Sequence, residues 1–260
     1  MNARGVPTLQ GGRWLGEGWR MFRVAPLGWF ALVFAYWMAM TVLSLVPVVG
    51  VLVASIVVPA FSVGFMAASR AASRNQPVEL AMLVAGFRER LPAQLALGGA
   101  YLGSLALVIG GSALVDDGML ARWLITGRGP AEDAVPDDSF YGALAAAAAL
   151  YAPVMAMFWF APVLVAWHGM APAKALFYSF FATLMNWRAF LAYGAAVSLV
   201  MFVLPTVLLL VLVLVSGGSL RLQPMALVLP LALIMLPTLF ASFYASYRDV
   251  FGGTGAQEGG

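Results

Sequence analysis

PTLFASFYASYR, residues 237–248, is an apolar run that opens on a proline, passes through small and aromatic residues and stops at a basic one. The same plan occurs twice more. PAFSVGFMAASR runs from Pro59 to Arg70, and PVLVAWHGMAPAK from Pro162 to Lys174. Proline inside a helix removes one backbone hydrogen bond and usually kinks it. Within a membrane it is tolerated where neighbours re-satisfy the freed backbone group. Three prolines at matching points of three apolar runs predict a repeated unit.

Composition says what kind of unit. Apolar residues make up 63% of the chain and charged residues 10%. A soluble domain carries about 25% charged residues. The charges are also segregated, leaving uncharged stretches long enough to cross a hydrocarbon core of about 30 Å as helices. Six spans are predicted, at 26–46, 48–69, 93–115, 141–167, 189–216 and 223–247. The apolar run after the basic N-terminal region is too long for a signal-peptide core and reads as a retained span. The first two spans are joined only around Pro47 and Gly50, so they form a tight hairpin. A polar loop, DDGMLARWLITGRGPAEDAVPDDSF from 116, joins the third and fourth, and SGGSLRLQP from 216 joins the fifth and sixth.

Lys and Arg orient the spans, because basic flanks stay cytoplasmic. With the N-terminus inside, all of the 14 Lys and Arg fall on inner segments except Arg122, Arg128 and Arg221. The acidic residues Asp116, Asp117, Glu132, Asp133, Asp137 and Asp138 fall outside. Both termini are therefore expected in the cytoplasm of a bacterial cell, with the chain in its inner membrane. The net charge of +3 reflects topology and is not a nucleic-acid footprint.

The segments leading into the odd-numbered spans also match: GWRMFRVAPLGW from 18, GFRERLPAQL from 86 and SFFATLMNWRAFL from 179. Each has a small residue, then an aromatic one. Upstream of each an amphipathic helix is expected. In the second, Leu80, Leu83, Val84, Phe87 and Leu91 follow helical spacing, with Asn75 and Pro77 as cap and first turn. In the first, Trp14, Leu15, Trp19 and Phe22 face one way and Arg13, Glu17 and Arg20 the other. In the third, Leu176, Phe177, Phe180 and Phe181 are expected to be partly buried. The unit is thus an interfacial helix plus a helical hairpin. It is used three times in parallel, over about 11–74, 75–174 and 175–251, within one integral membrane domain ending in a flexible tail, 252–260. Inverted repeats, common in secondary transporters, are not seen.

No span carries a charge near its centre, which removes the usual proton relay, cation ring or voltage sensor. There is no cysteine, and so no disulfide, thiolate metal site or thiol nucleophile. His168 is the sole histidine, at the inner end of the fourth span, without the ligands that a zinc site needs. GGRWLGEG, from 11, is glycine-rich but follows no strand and lacks a phosphate-loop lysine. The acidic pairs of the outer loop lack the spacing of a calcium loop. The spans' serines have no histidine and carboxylate to form a triad. No catalytic residue, metal site or cofactor is therefore expected. Gly99 and Gly103 form a GxxxG pattern suited to close helix packing within the bundle or between subunits of a homo-oligomer. Arg20, Arg23, Arg88 and Arg90, on or just after the interfacial helices, are candidates for holding anionic lipid headgroups, alongside their role in fixing topology.

The stretches GWRMFRVAPLGW, AGFRERLP, FAPVLVAWHGMAPAKAL and SFYASYRDVF together resemble an uncharacterised family of bacterial six-helix inner-membrane proteins, the BPSS-type membrane proteins. The resemblance covers nearly the whole chain, least well in the loop 116–139. More distantly, the layout is similar to the membrane domain of some glycerophosphodiester phosphodiesterases, whose catalytic domain has no counterpart here. The resemblance implies a six-helix membrane protein and brings no catalytic residues. Two functions fit: a non-enzymatic scaffold or lipid-interacting envelope component, or a carrier of a neutral or apolar solute. In the carrier, the kinked even spans would line a path offering Tyr101, Tyr151, Tyr193 and Tyr244 as contacts. A wide polar cavity favours the carrier; a close-packed core with a basic cytoplasmic face favours the scaffold.

Overall fold

The computed structural model describes residues 2–126, 138–216 and 225–252, with side chains from 233 onward in the last stretch. The remaining loop residues, with Arg128, Glu132, Asp133, Asp137 and Arg221, and nearly all of the predicted tail lie outside the described residues. What is described is helical, with no strand. The helices are α1 (Thr8–Val24), α2 (Pro26–Ser44), α3 (Val49–Ser73), α4 (Ala85–Arg88), α5 (Leu91–Ala113) and α6 (Met119–Thr126). They continue with α7 (Asp138–Phe158), α8 (Ala161–His168), α9 (Pro172–Met185), α10 (Trp187–Ser198), α11 (Leu204–Val215) and α12 (Met225–Phe251). A 3-10 turn, Leu80–Val84, precedes α4, and a π-helical turn, Leu199–Val203, joins α10 to α11.

Among the described residues, 5 segments are long and apolar enough to span a membrane: α2, α3, α5, α7 with α8, and α10 with α11. They coincide with the first five predicted spans to within a few residues. α12, at 27 residues, occupies the place of the sixth. The first hairpin turns where Pro47 and Gly50 predict it. Val49 N–H donates to Pro47 O at 2.7 Å and Gly50 N–H to Val46 O at 2.9 Å.

The described residues fall into two compact units. One holds those of Met1–Val42, Phe61–Arg88 and Ala182–Gly260; the other holds Leu43–Ala60 and Glu89–Phe181. Within each unit one packing rule recurs: the segment leading into a hairpin rests on the hairpin before it. In the first unit, the 3-10 turn lies on α3. A Cβ on Gly64 would collide with the Leu83 carbonyl, and Phe87 meets Phe61 edge to face at 4.9 Å. In the second unit, α9 lies on the junction of α7 and α8. The Ser179 hydroxyl, fully buried, accepts from Phe160 N–H at 2.9 Å and donates to Ala156 O at 2.8 Å. These are the partners of one ordinary helical bond, i to i+4, so the hydroxyl is inserted into the ladder and opens it. The fourth span breaks there, at Trp159 and Phe160, and restarts with Pro162 in the first turn of α8. Pro59 and Pro237, in contrast, lie inside the unbroken helices α3 and α12. α1 rests on α10 and α12. Its buried face is Gly11, Trp14, Gly18, Met21 and Phe22. Gly11 abuts the Ala189 carbonyl of α10, and a Cβ on Gly18 would lie 2.9 Å from Ser242 Cβ of α12.

Four expectations need correction. The second lead-in is not an α-helix beginning at Asn75. Asn75 has φ +55° and ends α3, since asparagine tolerates the left-handed region. Pro77 disfavours helix in the residue before it, so only the 3-10 turn and a single α turn follow. Of its apolar stripe Leu83 is buried, while Leu80 and Val84 are exposed. In the third lead-in, Leu176 and Phe180 are partly buried as expected, but Phe177 and Phe181 face outward, and the buried residues are Ala175, Ser179 and Ala182. In the first, Trp14 and Phe22 are buried as expected, but Trp19 is exposed and Gly11 and Gly18 share the buried face. The common principle is that small residues let the backbones approach: Gly18, Gly86 and Ser179, the small residues that head the three matching stretches, are all buried.

The GxxxG pair is the fourth correction. A Cβ on Gly99 or Gly103 would meet nothing within 4 Å, whereas one on the neighbouring Gly98 would collide with the Ile56 carbonyl of α3. Gly98→Val should therefore destabilise the purified protein by about 1–3 kcal/mol or more through overpacking. Gly99→Ala should be neutral or stabilising by up to about 1 kcal/mol through helix propensity. Thermal unfolding in detergent compares the two.

Candidate functional site

The last turn of α12 carries Arg248 and Asp249 in an otherwise apolar helix, and the structure shows why. Asp249 Oδ2 accepts from Gln10 Nε2 at 2.7 Å and from Trp14 Nε1 at 2.9 Å. Its backbone carbonyl accepts from Arg4 Nε at 2.6 Å, and Val250 O accepts from Arg4 N–H at 3.0 Å. Arg248 pairs with Glu17 of α1 and with Asp249 Oδ1 at 3.2 Å. Asn186, buried between α9 and α10, takes Val6 N–H on Oδ1 at 2.7 Å and donates from Nδ2 to Arg4 O at 3.1 Å and Ala182 O at 2.9 Å. The extended start of the chain and α1 are thus clasped to α12 and to the head of α10. The Arg248 and Glu17 side chains are 37% and 21% exposed, so the ion pair alone contributes about 1 kcal/mol at most. The clasp depends more on the buried hydrogen bonds around Asp249 and Asn186.

The four candidate headgroup arginines divide. Arg20, Arg23 and Arg88 are exposed, and Arg23 lies over the Trp19 ring at 6.0 Å. Arg90 has a structural contact. It takes a left-handed conformation, φ +53°, and its Nη1 donates to Gly169 O at 3.2 Å. Gly169, φ +65°, is the C-cap of α8, so this guanidinium sits where helix carbonyls lack partners and positive charge is favoured.

Three of the four tyrosines offered as path contacts bridge helices instead. Tyr101 of α5 and Tyr151 of α7 share a hydrogen bond at 3.0 Å, and Tyr193 of α10 and Ser242 of α12 share one at 2.6 Å. Gln94 Nε2 donates to Pro162 O at 2.9 Å. A shallow apolar groove lies beside the π-helical turn, lined by Phe202, Val203, Thr206 and Val207. His168 is exposed at the end of α8. Asp116 is a cap: its carboxylate accepts from Gly118 N–H at 3.0 Å and Leu120 N–H at 2.6 Å. Among the described residues no group of three His, Asp or Glu comes together to hold a metal.

The chain is 39% identical over 257 residues, 95% of its length and 93% of the relative's, to a protein of Burkholderia thailandensis named as a probable inner membrane protein. The chain belongs to that family. The family is one of bacterial inner-membrane proteins, in keeping with the apolar helices described above. No protein-family signature and no solved structure matches the chain.

Sequence reasoning singled out the terminal Arg-Asp but did not find its partners. Gln10 and Asn186 have no periodic signal, and the contact is between the two ends of the chain. GGRWLGEG was legible as unusual; Gly11 and Gly18 serve close helix contact, while Gly12 and Gly16 face open space. Asp249→Ala should leave the fully buried indole N–H of Trp14 without its acceptor, at a cost of about 1–3 kcal/mol. Glu17→Gln, at the half-exposed ion pair, should cost about 1 kcal/mol or less. Denaturant titration in mild detergent ranks the two.

Proposed function

We propose that this inner-membrane protein is a non-enzymatic scaffold whose cytoplasmic face engages anionic lipid headgroups. In this reading α12 is a sixth span, both termini are cytoplasmic, and the chain is three parallel repeats within one membrane domain. The recurring rule of lead-in on preceding hairpin supports the repeat. The likeness to the BPSS-type membrane proteins and, more distantly, to the phosphodiesterase membrane domain belongs to the same reading. The exposed stripe around Gly99 and Gly103 leaves a face for a second copy of the chain.

The observation that carries the lipid reading is the placement of Arg20, Arg23 and Arg88. They are exposed on segments whose other face is fixed to a hairpin, so their charges are held at the membrane surface. The exposed Trp19 on α1, beside Arg20 and Arg23, fits that depth, since aromatic rings favour the headgroup level. The bonding of Tyr101, Tyr151 and Tyr193 to neighbouring helices weighs against the carrier alternative.

Each cation near an anionic surface contributes about 1 kcal/mol. Replacing Arg20, Arg23 and Arg88 together by Gln should therefore lower retention of phosphatidylglycerol and cardiolipin by about a hundredfold. Any one substitution should change it only severalfold. Arg90→Gln should reduce stability and leave lipid retention nearly unchanged. Lipid mass spectrometry of the purified, correctly inserted proteins reads both. Equal retention by parent and triple variant would leave these arginines with topology alone.

A further inference from the structure

We infer that α6, the short helix in the loop between the two spans of the second hairpin, is an interfacial helix whose exposed apolar side lies in the lipid surface. The segment is a built element. Asp116, buried at 5% exposure, caps it, and the turn before it uses left-handed Asp117 and Gly118, φ +51° and +80°. Its inner side is fixed: Leu120 packs with Phe140 and Ala143 in the first turns of α7, and the Trp123 ring lies 5.9 Å from that of Phe140. Because α7 is a membrane span that begins at Asp138, this contact holds α6 at the end of the span, where hydrocarbon gives way to headgroups.

At that level the rest of α6 is uncovered and apolar. Trp123 and Leu124 are exposed, and Ile125 is 73% exposed. Arg122 is exposed beside them. A tryptophan, aliphatic side chains and a cation on one short helix are the composition that lies in a bilayer interface. The surface is also continuous along the chain with that of the spans. Leu114 and Val115 before α6, and Tyr141 and Leu144 after it, are exposed as well. The occupant that this continuity selects is lipid, the same medium that covers the spans. Which leaflet it is, the outer one, rests on the proposed six-span orientation; the embedding itself does not.

The chain has no cysteine, so single reporters can be placed without background. Leu124→Cys, Ile125→Cys, Asp117→Cys and Leu107→Cys are each labelled with a nitroxide. All four positions are exposed, and none belongs to the clasp. In liposomes of phosphatidylethanolamine and phosphatidylglycerol, collision with oxygen is compared with collision with a water-soluble nickel chelate. The ratio at 124 and 125 should resemble that at 107, within the third span, and exceed that at 117 severalfold. A nickel-dominated ratio at 124 and 125 would place α6 in water. Shielding from both reagents would place another part of the protein over it. Either result overturns the proposal. A separate arm treats intact cells carrying Asp117→Cys with a membrane-impermeant thiol reagent. Lack of labelling there, with embedding confirmed in liposomes, would overturn the orientation alone.

Discussion

Inside a bilayer, burying one leucine against another gains little, because lipid tails are as apolar as the side chains they would displace. Helices must instead be held by close backbone approach and by hydrogen bonds that hydrocarbon cannot replace. This constraint explains where the small and polar residues of this chain sit. Gly64, Gly98, Gly11 and Gly18 each lie where a Cβ would strike a carbonyl of another segment. Ser179 is inserted into a helix ladder, and Tyr101 and Tyr193 bridge adjacent spans. Many large apolar residues, such as Phe202 and Leu210, face outward, while others, such as Trp29 and Phe160, are buried.

The same constraint governs the segments that lead into the hairpins. The 3-10 turn packs on α3 at Gly64, and α9 enters the junction of α7 and α8 through Ser179. α1 takes α10 and α12 as its partners, with polar bonding concentrated around Asp249 and Asn186. The Arg248–Asp249 pair and the buried glycines of α1 are then two halves of one structural feature. It requires α12 to have been made before α1 can dock on it.

Much of this was legible in the sequence. Hydropathy located the helices, because uncharged runs of this length admit few alternatives, and five of them are described as candidate spans. The prolines marked comparable places in three runs, although Pro162 restarts a helix where Pro59 and Pro237 continue one. The difference comes from Ser179, which is distant in sequence. The faces of the lead-in segments were misread because apolar periodicity was taken to mark the buried side. At a membrane surface large apolar residues can face lipid, and Phe177 and Phe181 are exposed. All four arginines are exposed; Arg90 differs by its contact with Gly169, which depends on a left-handed backbone that no pattern announces.

The docking of the first lead-in helix on the last hairpin is tested most directly by cross-linking. Gln10 and Asp249 touch through their side chains, and no native thiol competes. A Gln10→Cys, Asp249→Cys double variant leaves Asn186, Arg4, Glu17 and Arg248 in place. Treated in the membrane with a short bis-maleimide, and then cut at a protease site introduced near residue 220, it should run as two fragments still joined, at any protein density. Fragments that separate after treatment, or that are joined only between different molecules, would contradict the clasp.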